Sequence, residues 1–166
     1  ESLVNFPVRG MSYPYGDYNE ELVKMLPYLD IEYSRTVNSH RNYTLPENFL
    51  TWHPTCHHDD HLLERTTDFV ELDPKGRMLL LYVWGHSFEF ERNNNWDLIE
   101  EFCKTIGNKD EIWYATNIEI IDYINALKNL KFSSNQHIIF NPSALDLWIG
   151  VDGNPTKINS GEYTYL

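Results

Sequence analysis

Within ten residues, Trp52-His53-Pro54-Thr55-Cys56-His57-His58-Asp59-Asp60-His61 carries four histidines, two aspartates and a cysteine. Imidazole, thiolate and carboxylate are the groups that bind zinc. Density alone makes no site, because adjacent side chains in a loop diverge. His57 and His61 have the i, i+4 spacing of a helix-borne ligand pair only if the helix that follows begins early. Three roles stay open for the cluster: lining a substrate cleft, simple polarity at a helix start, or a small metalloprotein site built from His53 to His61. A second feature is Val83-Trp84-Gly85-His86-Ser87-Phe88-Glu89-Phe90, which puts a histidine just past an apolar run. Imidazole titrates near neutrality, so His86 suits general acid or base work, though a hydrogen-bonded histidine at a strand end fits equally. The third is Tyr13-Pro14-Tyr15-Gly16, ahead of a helix N-terminus, where outward N–H groups can hold an oxyanion. A plain turn is its alternative.

The elements that must position these residues alternate. Residues 2–6 read as a strand ending at Pro7, and 9–16 as a loop with two glycines. A helix follows, capped by Asp17 or Asn19, with Glu20 and Glu21 in its first turn and Leu22, Val23, Met25 and Leu26 as its apolar stripe. Residues 31–37 alternate as a strand, 38–60 are polar and irregular with a brief strand at 48–52, and 61–70 form a helix. The apolar run 77–84 predicts a strand buried on both faces, as in a parallel sheet covered by helices. Beyond it come a helix at 96–106, a short strand at 111–115, and a capping box, Thr116 to Glu119, opening a helix at 117–129. Residues 136–140 and 145–151 are strands, and Asp152-Gly153-Asn154-Pro155 is a turn. The expected fold class is α/β, with a body at 1–130 and a small antiparallel β appendage at 131–166.

The chain of 166 residues has 13 Lys and Arg against 25 Asp and Glu, a net charge of −12. Such an excess of carboxylates excludes a generic binder of phosphate backbones or of anionic membrane surfaces. Hydrophobic residues at 42% and aromatics at 14% exclude intrinsic disorder, and the aromatics suit a sugar-binding cleft or a packed core equally. No apolar run approaches the ~20 residues of a membrane span, and no basic-then-apolar signal pattern opens the chain. With Glu1 in place of an initiator Met, the chain is expected to follow a cut or a processing event. Cys56 and Cys103 make no disulfide framework and leave the compartment open.

Taken together, these segments resemble the polysaccharide deacetylase family, the NodB-homology domain of carbohydrate esterases. YPYGDYNEEL is similar to its third motif and LLLYVWGHSFEF to its fifth, the strand ending in a catalytic histidine; WHPTCHH and IWYATNIEIIDY look like a branch of the family. The resemblance covers roughly residues 3–130 in the family's order. It implies a partial (β/α) barrel of the NodB-homology type and removal of N- or O-acetyl groups from a carbohydrate substrate. It also implies a divalent metal, usually zinc, held by an Asp and two His, with another Asp as the base. By match, His86 is the acid that protonates the leaving group and Tyr15 supplies the oxyanion N–H. Pro14, Trp52, His53 and Trp84 line the substrate site. Ser12 stands where the third motif usually has an arginine, and Arg9 is near enough to reach the same space.

The family's metal motifs, an Asp-Asp pair and H-x-x-x-H, lie upstream of the tyrosine turn, whereas Asp59-Asp60 follows it, so no metal-ligand or base role is carried onto that pair. The chain thus resembles the carboxyl-terminal half of a deacetylase and is expected to be inactive alone. A carbohydrate-binding remnant without hydrolysis, using Trp52, Tyr15 and Trp84 as stacking platforms, is the competing reading. A half-barrel leaves an open strand edge, so association is expected with the missing N-terminal half or with a second copy, the latter across the edge at residues 2–6 or at the strand that precedes the tyrosine turn's neighbours in the barrel.

Overall fold

The computed structural model describes residues 3–166, which form two compact units, Glu1–Trp113 and Tyr114–Leu166. In the first unit, strand β1 (Gly10–Ser12) pairs in parallel with β2 (Tyr33–Arg35), and helix α1 (Glu20–Met25) lies between them in sequence. Asn19 caps α1 by accepting from the Leu22 N–H at 2.8 Å. The parallel order continues: Arg35 bridges to Trp52, whose N–H donates to Ser34 at 3.0 Å and whose carbonyl accepts from Thr36 at 2.9 Å. Four residues on, β3 (Cys56–His57) pairs in parallel with β4 (Val83–Trp84), and helix α2 (Leu62–Glu71) occupies the crossover. Four successive extended segments therefore run parallel in chain order, which puts all their carboxyl ends on one side. Helix α3 (Ser87–Asn93) follows β4 directly, and α4 (Trp96–Ile106) packs against α2.

Trp52 anchors this unit. Its side chain is fully buried among the edge-on rings of Phe49 at 5.0 Å, Tyr82 at 5.1 Å and Tyr33 at 6.0 Å. Gly10 makes the β1 pairing possible, since a Cβ there would fall 1.9 Å from the Tyr33 ring.

In the second unit, helix α5 (Asn117–Lys128) begins at the expected capping box: the Thr116 N–H donates to Glu119 Oε2 at 2.7 Å, and Thr116 Oγ1 accepts from the Glu119 N–H at 3.4 Å. Strands β5 (Lys131–Phe132), β6 (Ile138–Phe140) and β9 (Tyr163–Tyr165) form one antiparallel sheet, and β7 (Leu147–Val151) and β8 (Asn154–Ile158) form a hairpin. Asp152 and Gly153, at φ 48° and 81°, make its two-residue turn, the mirror-image type that matches strand twist. Ala126, Leu130, Ile139, Leu147 and Ile158 form a buried aliphatic cluster.

Several elements differ from expectation. Residues 3–6 form a turn and bend with Leu3 and Phe6 exposed, while Ser2 lies outside the described residues; the first strand is Gly10–Ser12, and 3–6 offer no strand edge for a partner. Of the run 77–84 only Val83–Trp84 is strand, and Leu79 to Trp84 are half-buried rather than covered on both faces. The segment before β3 gives it no ladder: Pro54 has no N–H to donate, and the Tyr82 N–H goes to the Thr55 hydroxyl at 3.0 Å. Residues 111–115 form no strand; Trp113 and Tyr114 there are exposed, and the Ile112 N–H turns back onto the Lys109 carbonyl. Helix α5 packs on β7 and shares the aliphatic cluster, so it groups with the C-terminal strands, and the units part after Trp113 rather than after residue 130. No sheet closes into a barrel among the described residues, and no helix among them is long and apolar enough to cross a membrane.

Candidate active-site cleft and histidine cluster

Residues just past the carboxyl ends of β1, β2 and β4 surround a cleft of about 440 Å³, with Tyr13, Pro14, Tyr15, Arg35, Trp84 and His86 on its walls. The tight turn Pro14–Gly16 follows β1, closed by the Gly16 N–H on the Tyr13 carbonyl at 3.0 Å and the Asp17 N–H on Pro14 at 3.1 Å. Tyr15 sits in the left-handed region at φ 56°, ψ 8°, a conformation that costs a non-glycine residue about 1–3 kcal/mol when the surroundings enforce it. It is 98% exposed. Gly16 is also left-handed at φ 79°, and a Cβ there would meet Val37 at 2.4 Å, so the turn is seated against the segment after β2. Tyr13 fastens the turn from below by donating its hydroxyl to the Leu50 carbonyl at 2.7 Å and stacking on Tyr18. Its phenol pKa is raised, chiefly by burial.

On the opposite wall the Arg35 guanidinium lies 4.6 Å from the centre of the Trp84 ring. His86 precedes α3, and its ring is more than half exposed toward solvent. Its backbone N–H donates to Glu89 Oε2 at 3.0 Å, and its Nδ1 lies 3.4 Å from the same oxygen.

Glu89 is the hub behind His86. The oxygen that takes the His86 N–H also faces His58 Nε2 at 2.9 Å and His57 Nε2 at 3.2 Å. Burial acts to raise its pKa, but the His86 N–H, the His58 ring and the positive character of the two histidines together hold it down at about 2. His57 turns its other nitrogen, Nδ1, to Asp59 Oδ1 at 2.5 Å. His58 is 3% exposed, packed on the Phe90 ring and against Gly85. A Cβ on Gly85 would fall 1.9 Å from the His58 ring, so only glycine permits this approach. His57, His58 and Glu89 bring their ligand atoms within 4.8 Å of one another, an arrangement able to hold a metal ion.

Thus Pro14, Tyr15, Trp84 and His86 share one cleft, while three other residues expected at the site stand elsewhere. Trp52 is a core anchor with no exposed surface, and it cannot serve as a sugar platform. His53 is held by Thr36 Oγ1 at 2.5 Å and does not line the cleft. Arg9 is engaged by Glu32 through Nε at 2.5 Å and Nη2 at 2.9 Å, and the cation on the cleft wall is Arg35 instead. The i, i+4 pair His57 and His61 does not form, because α2 starts only at Leu62 and His61, in the left-handed region, precedes it with its Nδ1 3.2 Å from Glu64. Glu89 and Arg35 went unrecognised in the sequence. The first was legible as the carboxylate three residues after His86 at a helix start, and the second as an alternate residue in strand 31–37.

Neither family models, nor curated proteins, nor solved structures gave a match to this chain.

Proposed function

We propose that the cleft serves a carbohydrate deacetylase of the NodB-homology type, in a partial (β/α) barrel to which this chain contributes the acid and the oxyanion side. One observation carries the reading: the Pro14–Gly16 turn and His86, far apart in sequence, meet on one cleft at the carboxyl ends of parallel strands. Ligands and catalytic groups gather at that end in α/β folds. Hydrolysis of an N-acetyl group passes through a tetrahedral oxyanion and expels an amine, so it needs a hydrogen-bond donor for the first and a proton for the second. The Tyr15 backbone N–H, set by the strained turn, is the donor. The His86 imidazole, exposed to the cleft and backed by the ionised Glu89, holds the proton for the leaving nitrogen. The exposed Tyr15 ring and the Arg35 guanidinium stacked on Trp84 flank the space where a sugar ring would lie.

The metal that the resemblance implies finds no matching ligands on this chain. The family's Asp and its H-x-x-x-H pair precede the tyrosine turn, and residues 3–13 contain neither His nor Asp. Nor does Asp59-Asp60 stand in: Asp60 is held by Arg41 and Arg65, and Asp59 by His57. No step is therefore routed through that metal.

The test is acetate release from a panel of N- and O-acetylated oligosaccharides by the natural gene product that carries residues 1–166. His86→Gln is expected to lower turnover by about 10²–10⁴-fold with unchanged folding. An unchanged rate removes His86 as the acid. Binding without acetate release by either form would favour the non-catalytic carbohydrate-binding reading, which the fully exposed Tyr15 ring also suits.

A further inference from the structure

We propose that His57, His58 and Glu89 form a binding site for a divalent transition-metal ion of the zinc class, with three protein ligands and at least one open position. The proposal stands on the cluster alone and does not rest on the deacetylase reading.

The first argument is one of ring placement. Asp59 Oδ1 lies at hydrogen-bond distance from His57 Nδ1, which holds the ring with its Nε2 turned to Glu89 Oε2, 3.2 Å away. His58 Nε2 points at the same oxygen from 2.9 Å, so two imidazole nitrogens and one carboxylate converge on one spot.

The geometry admits an ion. Around a tetrahedral zinc with bonds of about 2.0–2.1 Å, neighbouring donor atoms stand roughly 3.3 Å apart. The observed separations from Glu89 Oε2, 2.9 Å to His58 and 3.2 Å to His57, are close to this, and all the ligand atoms lie within 4.8 Å of one another, so the two imidazoles close in on the ion as it binds. Two imidazoles and one carboxylate are the donor set of catalytic zinc sites, which keep a fourth position open. The outer contacts match as well. A ligating histidine ordinarily donates its other ring N–H to a carboxylate, as His57 does to Asp59, and a ligating carboxylate is itself hydrogen-bonded, as Glu89 is by the His86 N–H. His58 is held in place before any ion arrives, wedged between Phe90 and Gly85, and its buried Nδ1 has no hydrogen-bond partner among the described residues. Its Nε2 is the nitrogen turned to Glu89.

The neighbouring candidates do not compete. Cys56 is buried, and burial pushes its thiol up to about 11, which disfavours the thiolate that would bind metal. His53 and His61 are committed to Thr36 and Glu64.

The test is a titration of the metal-stripped chain with zinc chloride and, separately, with cobalt chloride. One equivalent of zinc should bind, and cobalt should give the visible ligand-field bands of a low-coordinate N/O site that zinc then abolishes. Glu89→Gln keeps an acceptor for the His86 N–H but removes the anionic ligand, and it should abolish stoichiometric binding. Asp59→Asn, at an exposed position, should weaken binding about 10–100-fold with no loss of fold, and His61→Ala should leave it unchanged. Folding of each variant is checked by circular dichroism. A folded wild-type chain that takes up no stoichiometric metal would overturn the proposal. So would binding that survives Glu89→Gln, or nitrogen NMR finding His57 doubly protonated at neutral pH with zinc in excess.

Discussion

The two units of this chain are held together by different kinds of interior. In Tyr114–Leu166 the buried side chains are chiefly aliphatic, from Ala126 through Ile139 and Leu147 to Ile158, and the one buried polar side chain singled out there, Asn141, is satisfied. Its Nδ2 donates to the Leu145 carbonyl at 2.7 Å and the Ile158 carbonyl at 3.2 Å, and its Oδ1 accepts from the Ser143 N–H and hydroxyl. In Glu1–Trp113 the leucines Leu26 and Leu62 share the interior with aromatic and polar side chains: Trp52 with Ser34, Thr36, Thr55, His58 and Thr66, each 3% exposed or less. Apolar burial is non-directional and tolerates some sliding, whereas rings and hydrogen bonds fix distances and orientations. The first kind of interior makes a stable module. The second costs polar desolvation, and it holds the Tyr15 turn, His86 and the histidine cluster where they stand.

The strongest way to break that comparison is to remove one anchor from each interior. Trp52→Ala should destabilise its unit by about 3–5 kcal/mol and Leu147→Ala its own by about 2–5 kcal/mol. Hydrogen exchange read residue by residue checks this, with protection lost in β1 to β4 for the first variant and in β6 to β8 for the second. Equal loss across both units from either change would mean that the interiors are not separable.

Acid sharpens the contrast at a smaller scale. Glu89 is ionised down to about 2 in the folded chain against an ordinary 4.5, so the stability it contributes is complete above about pH 4.5 and is lost as pH falls toward 2. In the other unit the carboxylates held low, Asp146 by Lys157 and a backbone N–H and Glu119 by Thr116, are at the surface, where such contacts are worth little. Glu89→Gln should flatten the pH dependence of denaturation of Glu1–Trp113 across that window and leave Tyr114–Leu166 untouched. The smallest expected effect is Thr116→Ala, which removes the α5 cap at a cost of about 1 kcal/mol, measurable as a shift in denaturant midpoint without loss of the aliphatic cluster.

Local signals were readable where local chemistry decides. The Asn19 cap, the Thr116 to Glu119 box, helix 96–106 and the Asp152-Gly153 turn all follow from side chains within four residues of the backbone they serve. Readings that depended on a partner elsewhere fared differently. The apolar run 77–84 has the composition of a covered strand, yet its pairing is limited by the segment before β3, where Pro54 lacks an N–H and the Thr55 hydroxyl takes the Tyr82 N–H. Trp52 sits beside histidines in sequence, and whether its ring faced a ligand or the core was decided by Tyr33, Phe49 and Tyr82. The convergence of His57 and His58 on Glu89 depends on Gly85 lying against the His58 ring, a tertiary approach that residue spacing does not reveal.

The most direct test of the cleft is an NMR titration of the chain with an acetylated chito-oligosaccharide, following backbone amides in both units. The account expects residues 13–16 and 84–86 to shift together along one binding curve, with the Trp84 indole signal among them, and Tyr15→Ala to weaken that curve without altering the rest of the spectrum. Shifts confined to Tyr114–Leu166, or movement of only one of the two segments at saturation, would contradict it.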